Sequence, residues 1–221
     1  MIDFECKNIV LKSKNKDISF NQDFEKEKVY VIFAERDVVN QMFKRFSNPN
    51  EKGNGDLIWK DTRLKYLSKE LYLGELADVL NENGFSVDEL TCEEILLLMK
   101  PVYLKKFGGE LARNNNYLKY MYELMEFIGF SKTNLRDKTG ALSNLNRALF
   151  DLSLLKVRKR NILILRNFDK LNPEDFQMIV SQLRNIAESN KALILCLTEI
   201  KENINQNLEA ETISLEALFR R

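Results

Sequence analysis

A chain of 221 residues, 44% hydrophobic and 30% charged with a net charge of +1, can bury a real core, and no global field holds it on nucleic acid or an acidic membrane. It contains no histidine, which excludes Ser–His and Cys–His nucleophile systems and any histidine-ligated metal. The three cysteines, Cys6, Cys92 and Cys196, lie far apart, which argues against a disulfide framework and suits a reducing compartment. No apolar run approaches the roughly 20 residues that span a bilayer, and the first residues do not read as a signal peptide, so a membrane role is expected only through a partner.

In chain order, the weak alternation of Ile2 to Leu11 reads as a strand, and Ile18-Ser19-Phe20 opens a second one ending near Phe24. Glu25 to Lys28 is a polar turn. Val29-Tyr30-Val31-Ile32-Phe33, β-branched and aromatic, reads as a buried strand. A loop over Ala34 to Val39 is expected to lead into a helix from Asn40 to Phe46. Pro49 to Gly55 is a turn-rich break, and Gly55 to Asp61 a further strand and turn. In residues 64–90, Leu71, Leu73, Leu76, Val79 and Leu80 fit either one helical face or a strand and a loop.

Thr91-x-x-Glu94 is a capping box ahead of Ile95 to Met99. Pro101 starts or kinks the next piece and Gly108-Gly109 breaks it. Leu111, Tyr117, Leu118, Met121, Leu124, Met125 and Ile128 recur at helical spacing, with Gly129 at the expected end. Asn144 to Lys156 reads as a helix and Ile162 to Leu165 as a buried strand. Pro173-Glu174-Asp175 opens a helix carrying Phe176, Ile179, Val180, Leu183 and Ile186. Ala192 to Leu197 is another buried strand, and Thr212 to Leu215 a short last one. Continuous apolar strands alternating with helices predict a largely parallel sheet covered on both faces.

The stretch Leu142 to Asn172 carries a resemblance. Leu142-Ser143-Asn144-Leu145-Asn146-Arg147, then a helix, then Ile162 to Leu165, then Arg166-Asn167-Phe168-Asp169-Lys170-Leu171-Asn172-Pro173, resembles the signature-to-Walker-B half of an ATP-binding-cassette (ABC) ATPase. The order of elements along nearly the whole chain is similar to that family's nucleotide-binding domain. In the family, the turn after the first buried strand is the glycine-rich Walker A loop. Here it reads Ala34-Glu35-Arg36-Asp37-Val38-Val39-Asn40-Gln41. Asn40 stands where the resemblance places the phosphate-binding lysine, and Gln41 where it places the magnesium-binding Ser or Thr. Arg36, Asn40 and Gln41 are therefore nucleotide-binding candidates of a degraded motif.

A phosphate cradle needs successive backbone N–H groups turned inward at conformations that glycine tolerates. Val38 and Val39 resist them, and Glu35 and Asp37 add negative charge beside a triphosphate. By the same resemblance Gly55 to Trp59 follows Walker A, the Q-loop falls near Asn81-Glu82-Asn83 with Glu82 as its candidate, and Leu90-Thr91-x-x-Glu94 opens the helical subdomain. No aromatic lies near Leu11, where the adenine would stack.

The signature keeps Leu142 and Ser143 but loses both glycines; with Asn144 and Arg147 these are candidates for touching a nucleotide held by another subunit. Arg166 and Asn167 replace the acids that order magnesium and polarise water, Asn172 replaces the D-loop Asp, and Glu199 follows Thr198 where the family has its switch histidine. Asp169 and Asp175 read as solvated or capping carboxylates.

The resemblance implies an α/β, P-loop NTPase-like (ABC ATPase) core with a mostly parallel sheet and N-terminal antiparallel strands. It implies one domain over residues 1–221, with a helical subdomain over about residues 91–140. Phosphoryl transfer needs cradle, metal and water-positioning group together, so no catalytic residue, metal site or cofactor is expected for this chain alone; ATP and magnesium are expected at most as shared with a partner. The function implied is a non-hydrolysing subunit of a membrane ABC transporter. It would pair with a second ABC ATPase subunit or a copy of itself and with permease chains, cytoplasmic at the inner face of the plasma membrane. The alternative is an ABC-like CRISPR adaptation protein forming a ring on double-stranded DNA ends, with the basic run Lys156 to Arg160 and Lys105 and Lys106 on phosphates.

Overall fold

The computed structural model describes residues 3–13, 17–50, 53–81, 83–85, 87–107, 114–166, 168–201 and 208–215. The chain divides into two compact units, Met1–Glu82 with Arg160–Arg221, and Asn83–Lys159.

Among the described residues, the first unit holds two sheets. Strands β1 (Phe4–Lys12), β2 (Asp17–Phe24), β4 (Asp56–Trp59) and β5 (Thr62–Arg63) form an antiparallel sheet in the order β2-β1-β4-β5. Strands β3 (Val29–Phe33), β6 (Ala77–Leu80), β7 (Ile162–Leu165), β8 (Leu193–Thr198) and β9 (Glu211–Ser214) form an all-parallel sheet in the order β6-β7-β8-β3-β9. The strands β3, β7 and β8 are buried along their whole length, as their unbroken apolar runs require.

Helix α1 (Arg36–Ser47) buries Val38, Val39, Met42 and Phe46 and packs on β1, β7 and β8, so it joins the two sheets. Phe4, Phe24 and Phe46 meet beside it, with ring centroids 5.8 Å apart for Phe4–Phe24 and 6.1 Å for Phe4–Phe46, and Tyr30 stands edge-on to Phe24 at 4.9 Å. Helix α6 (Pro173–Asn190) packs on β3 and β8 and buries the Phe176, Ile179, Val180, Leu183 and Ile186 stripe.

One expectation is overturned here. The loop predicted over Ala34 to Val39 is a two-residue turn, Ala34-Glu35, and α1 begins at Arg36 rather than at Asn40. With no glycine available for positive φ, the segment takes the right-handed conformation its residues prefer. Burial of Val38 and Val39, both at 0% exposure, then fixes the early start, and Asp37 in the first turn complements the helix dipole.

The ambiguous segment resolves into both readings in succession. Lys69–Leu71 is a single turn, α2, continued by a π-helical turn over Tyr72–Leu76 and then by β6. The buried Tyr72 hydroxyl donates to the Phe46 carbonyl at 2.6 Å, which anchors the turn on α1.

The second unit is helical: α3 (Cys92–Phe107), α4 (Asn114–Ile128) and α5 (Asn144–Arg158). The capping box forms as read, with Thr91 N–H donating to the Glu94 carboxylate at 2.8 Å and Glu94 N–H donating to Thr91 Oγ1 at 3.2 Å. Pro101 lies inside α3. Gly129, at φ +95°, ends α4, and Phe130 N–H closes on the Met125 carbonyl at 2.8 Å. Leu111 and Gly108-Gly109 lie outside the described residues.

Candidate functional site

At the carboxyl end of the parallel sheet, β3 ends at Phe33 opposite Thr198 of β8, and β7 ends at Leu165 opposite Cys196. The residues just past these ends are the ones the sequence singled out. Arg166 follows β7, its N–H held by the Leu80 carbonyl at 2.9 Å, and its side chain is only 7% exposed. Its guanidinium donates through Nη1 to Oδ1 of Asn40, on the second turn of α1. Asn40 and Arg166, the residues that the resemblance would set at a phosphate-binding lysine and a magnesium-ordering aspartate, are therefore bonded to each other.

Gln41 turns elsewhere. Its amide bonds both backbone groups of Lys12, accepting from the N–H at 2.8 Å and donating to the carbonyl at 2.6 Å, and it also donates to the Asp37 carbonyl at 3.1 Å. It thereby fastens α1 to the end of β1. Leu11, beside it, is buried. Arg36 faces Glu199 at 3.8 Å, but Arg36 is largely exposed, so the pair contributes little.

Asp169, read as a solvated or capping carboxylate, binds a backbone N–H and a hydroxyl rather than lying free in solvent. It is half-buried and accepts from the Thr198 hydroxyl at 2.5 Å and from Glu199 N–H at 3.3 Å. Burial pushes its pKa up, against the lowering effect of those two donors. Asp169 thus ties the segment after β7 to the end of β8. Asn172 is the N-cap of α6: its side chain accepts from Asp175 N–H at 2.8 Å and donates to the Asp175 carboxylate at 2.9 Å, with Pro173 starting the helix. Asn167 and Glu82 lie outside the described residues. Among the described residues no group of three acidic or cysteine side chains is placed to hold a metal ion.

In the second unit, Ser143 is the N-cap of α5, its hydroxyl accepting from Asn146 N–H at 3.2 Å. Leu142 is half-buried, and Ser143 and Asn144 are exposed. Arg147 pairs with Asp88 at 2.7 Å and donates to the Thr139 carbonyl at 2.9 Å, which holds the approach to the helix in place.

Sequence reasoning passed over a second polar centre in this unit. Asp151, on α5, is fully buried and accepts from Phe85 N–H at 2.9 Å. Gly84, at φ +65°, lies so close that a Cβ there would run into the Asp151 carboxylate. The Asn83-Gly84 pair is a turn signal that marks the place. The basic run that the alternative reading would set on phosphates makes contacts within the protein. Lys156 Nζ stands 4.7 Å over the Phe127 ring and the Arg158 guanidinium 5.3 Å over Phe85. Lys159 caps α5 at φ 48°, and Arg160, in the first unit, faces buried Asp78 at 3.7 Å. The side chains of Lys105 and Lys106 lie outside the described ones.

Neither the known protein-family profiles nor the curated proteins contain a match to this sequence. Solved structures do match. A nucleotide-free ATP-binding cassette from an ABC transporter superposes with a TM-score of 0.69 at 14% identity, over 94% of this chain and 85% of that one. A dimeric bacterial ABC transporter cassette gives 0.71 at 12% identity, over 96% and 94%. The cbiO1 protein of Clostridium perfringens, part of the cbiONQ ABC transporter complex, gives 0.68 at 12% identity, over 90% and 79%. With the all-parallel sheet, the antiparallel sheet joined to it by α1 and the helical unit, these matches show that the chain has the fold of an ABC nucleotide-binding domain.

Proposed function

We propose that this protein is a non-hydrolysing subunit of ABC nucleotide-binding-domain fold that acts in a membrane transporter beside a second ATPase subunit, or a second copy of itself, and permease chains. The observation that carries the reading is the bond from Arg166 to Asn40. A magnesium–nucleotide needs a cation from α1 and an acid from the end of β7; here a buried guanidinium occupies the acid's place and is bonded to the amide that replaces the cation. The helix that begins at Arg36 leaves no loop to cradle phosphates, and Gln41 is committed to Lys12. These residues do not fit a magnesium–nucleotide.

Pairing rests on fold likeness, since the similar structures include a dimeric cassette and a component of a transporter complex. Among the described residues no helix is long and apolar enough to cross a membrane; in the proposed function the chain is placed at a membrane through its partners. Leu97 and Leu98 on α3, 48% and 67% exposed, give the helical unit an apolar surface suited to such contacts. The DNA reading draws no support from Lys156, Arg158 and Arg160, which are packed on rings or paired with Asp78.

The reading is tested by measuring phosphate release from ATP by the purified chain, with and without magnesium. No release above background is expected. Release that needs magnesium and scales with this chain overturns the proposal.

A further inference from the structure

The opposite end of the parallel sheet, where the strands begin, carries a feature outside the nucleotide-site positions. Lys26 lies in the turn between β2 and β3, and Lys60 in the turn between β4 and β5. Both reach Trp59: Lys26 Nζ is 5.0 Å and Lys60 Nζ 5.9 Å from its ring centroid. Two ammonium groups thus converge on one aromatic ring. Each gains from the ring's electron-rich face, and each repels the other. Among the described residues neither is in an ion pair. Lys26 Nζ instead donates to Asn161 Oδ1 at 3.3 Å, just ahead of β7.

The backbone holds both lysines where they are. Lys60 and Asp61 have φ 45° and 65°, the left-handed pair of a tight hairpin turn, and Glu27 beside Lys26 has φ 62°. Glycine or asparagine would take these conformations with less strain, and strained backbone of this kind concentrates at functional sites. Lys60 N–H is fastened to the Asp3 carbonyl at 3.0 Å, Lys26 N–H to the Asp3 carboxylate at 3.4 Å, and Glu27 N–H to the Ala192 carbonyl at 2.9 Å. Burial and the neighbouring Lys60 ammonium push the Lys26 pKa down, against the pull of Asp3 and Glu27. A bound anion would relieve that repulsion.

We propose that Lys26 and Lys60, converging on Trp59 with Asn161 alongside, form a binding site for a small oxyanion of the phosphate class. The anion bridges the two ammonium groups, accepting hydrogen bonds from both, and Trp59 forms an apolar wall. The site lies at the other end of β3 and β7 from Asn40 and Arg166, so it does not depend on the reading of the nucleotide positions.

Trp59 is the chain's single tryptophan, so its emission reports this site alone. The experiment titrates the full chain with inorganic phosphate and with pyrophosphate, against sodium chloride at matched ionic strength. It is repeated with phosphatidylcholine vesicles with and without phosphatidic acid, and on Lys26→Gln and Lys60→Asn; asparagine suits the left-handed turn, so the second variant keeps the fold. The expected result is a saturable change in emission that chloride does not reproduce, with affinity at least about tenfold lower in either variant, the loss of one charge-assisted bond. A response to the free anions assigns the phosphate to solution, and a response to phosphatidic acid vesicles alone assigns it to a lipid headgroup. No saturable change with any probe, a change matched by chloride, or a change that survives both substitutions overturns the proposal.

Discussion

The Arg166 guanidinium donates to the side-chain carbonyl of Asn40 and so links the end of β7 to the second turn of α1. Arg166 is buried and Asn40 exposed, so the bond gives the guanidinium a polar partner at the carboxyl end of the sheet. Asn40→Ala is expected to cost about 0.5–1.5 kcal/mol of stability, the net worth of one hydrogen bond. Asn40→Lys, which introduces the residue type that the resemblance would place there, is expected to cost more, because it sets an ammonium against the guanidinium. Urea unfolding of the two variants checks the order; a neutral or stabilising Asn40→Lys would contradict the pairing.

Gln41 makes three hydrogen bonds, two of them to Lys12. Gln41→Ser replaces it with the residue type that binds magnesium in the family but cannot span to β1. A loss of about 1–2 kcal/mol is expected, with no gain of magnesium affinity. Thermal unfolding with and without magnesium chloride reads both; a magnesium-dependent rise in melting temperature would show that one residue, rather than the whole loop, had disabled the site.

Gly84→Ala is expected to destabilise by about 1–3 kcal/mol, since it adds a Cβ at φ +65° and drives it into the buried Asp151 carboxylate. Asp151→Asn keeps an oxygen for Phe85 N–H and is the milder change. Urea midpoints compare them; equal effects would mean that the loop yields more easily than the packing indicates.

Asp169 gives a pH dependence. Its folded pKa is raised above the unfolded value, chiefly by burial. Such a group contributes stability that is present below the unfolded pKa, about 3.9 for aspartate, and lost as the pH rises through the folded value. At neutral pH the buried carboxylate is therefore a burden. Asp169→Asn, which keeps an oxygen acceptor for Thr198, is expected to raise stability at pH 7 and to lose that advantage near pH 3. Melting temperatures across that range test the sign.

The three cysteines are all buried. Burial raises the thiols of Cys6 and Cys196 and pushes Cys92 up to about 12. The native chain should resist an aromatic disulfide reagent at pH 8 for hours and show three reactive thiols in denaturant. Rapid native labelling would place at least one thiol at the surface.

The strands and long helices were legible because Val29 to Phe33, Ile162 to Leu165 and the α6 stripe advertise burial with a clear period, and the Thr91–Glu94 box marks its helix. The start of α1 was not, because the family's spacing suggested a loop that Val38 and Val39 were free to fill with helix once the glycines were gone. Left-handed positions were hidden for a related reason. In a chain with only 8 glycines, Lys60, Asp61, Lys159 and Lys191 take conformations that glycine usually marks. Long-range pairs such as Arg166 with Asn40 and Asp151 with Phe85 leave no local pattern at all; only the fold brings them together.

In the proposed function the nucleotide positions are closed by the protein's own side chains, Arg166 on Asn40 and Gln41 on Lys12. Isothermal titration of the full chain with ATP in the presence of magnesium tests it most directly. No saturable heat that depends on magnesium is expected at millimolar ATP. A saturable isotherm with a one-to-one stoichiometry that is lost on chelating magnesium would contradict it.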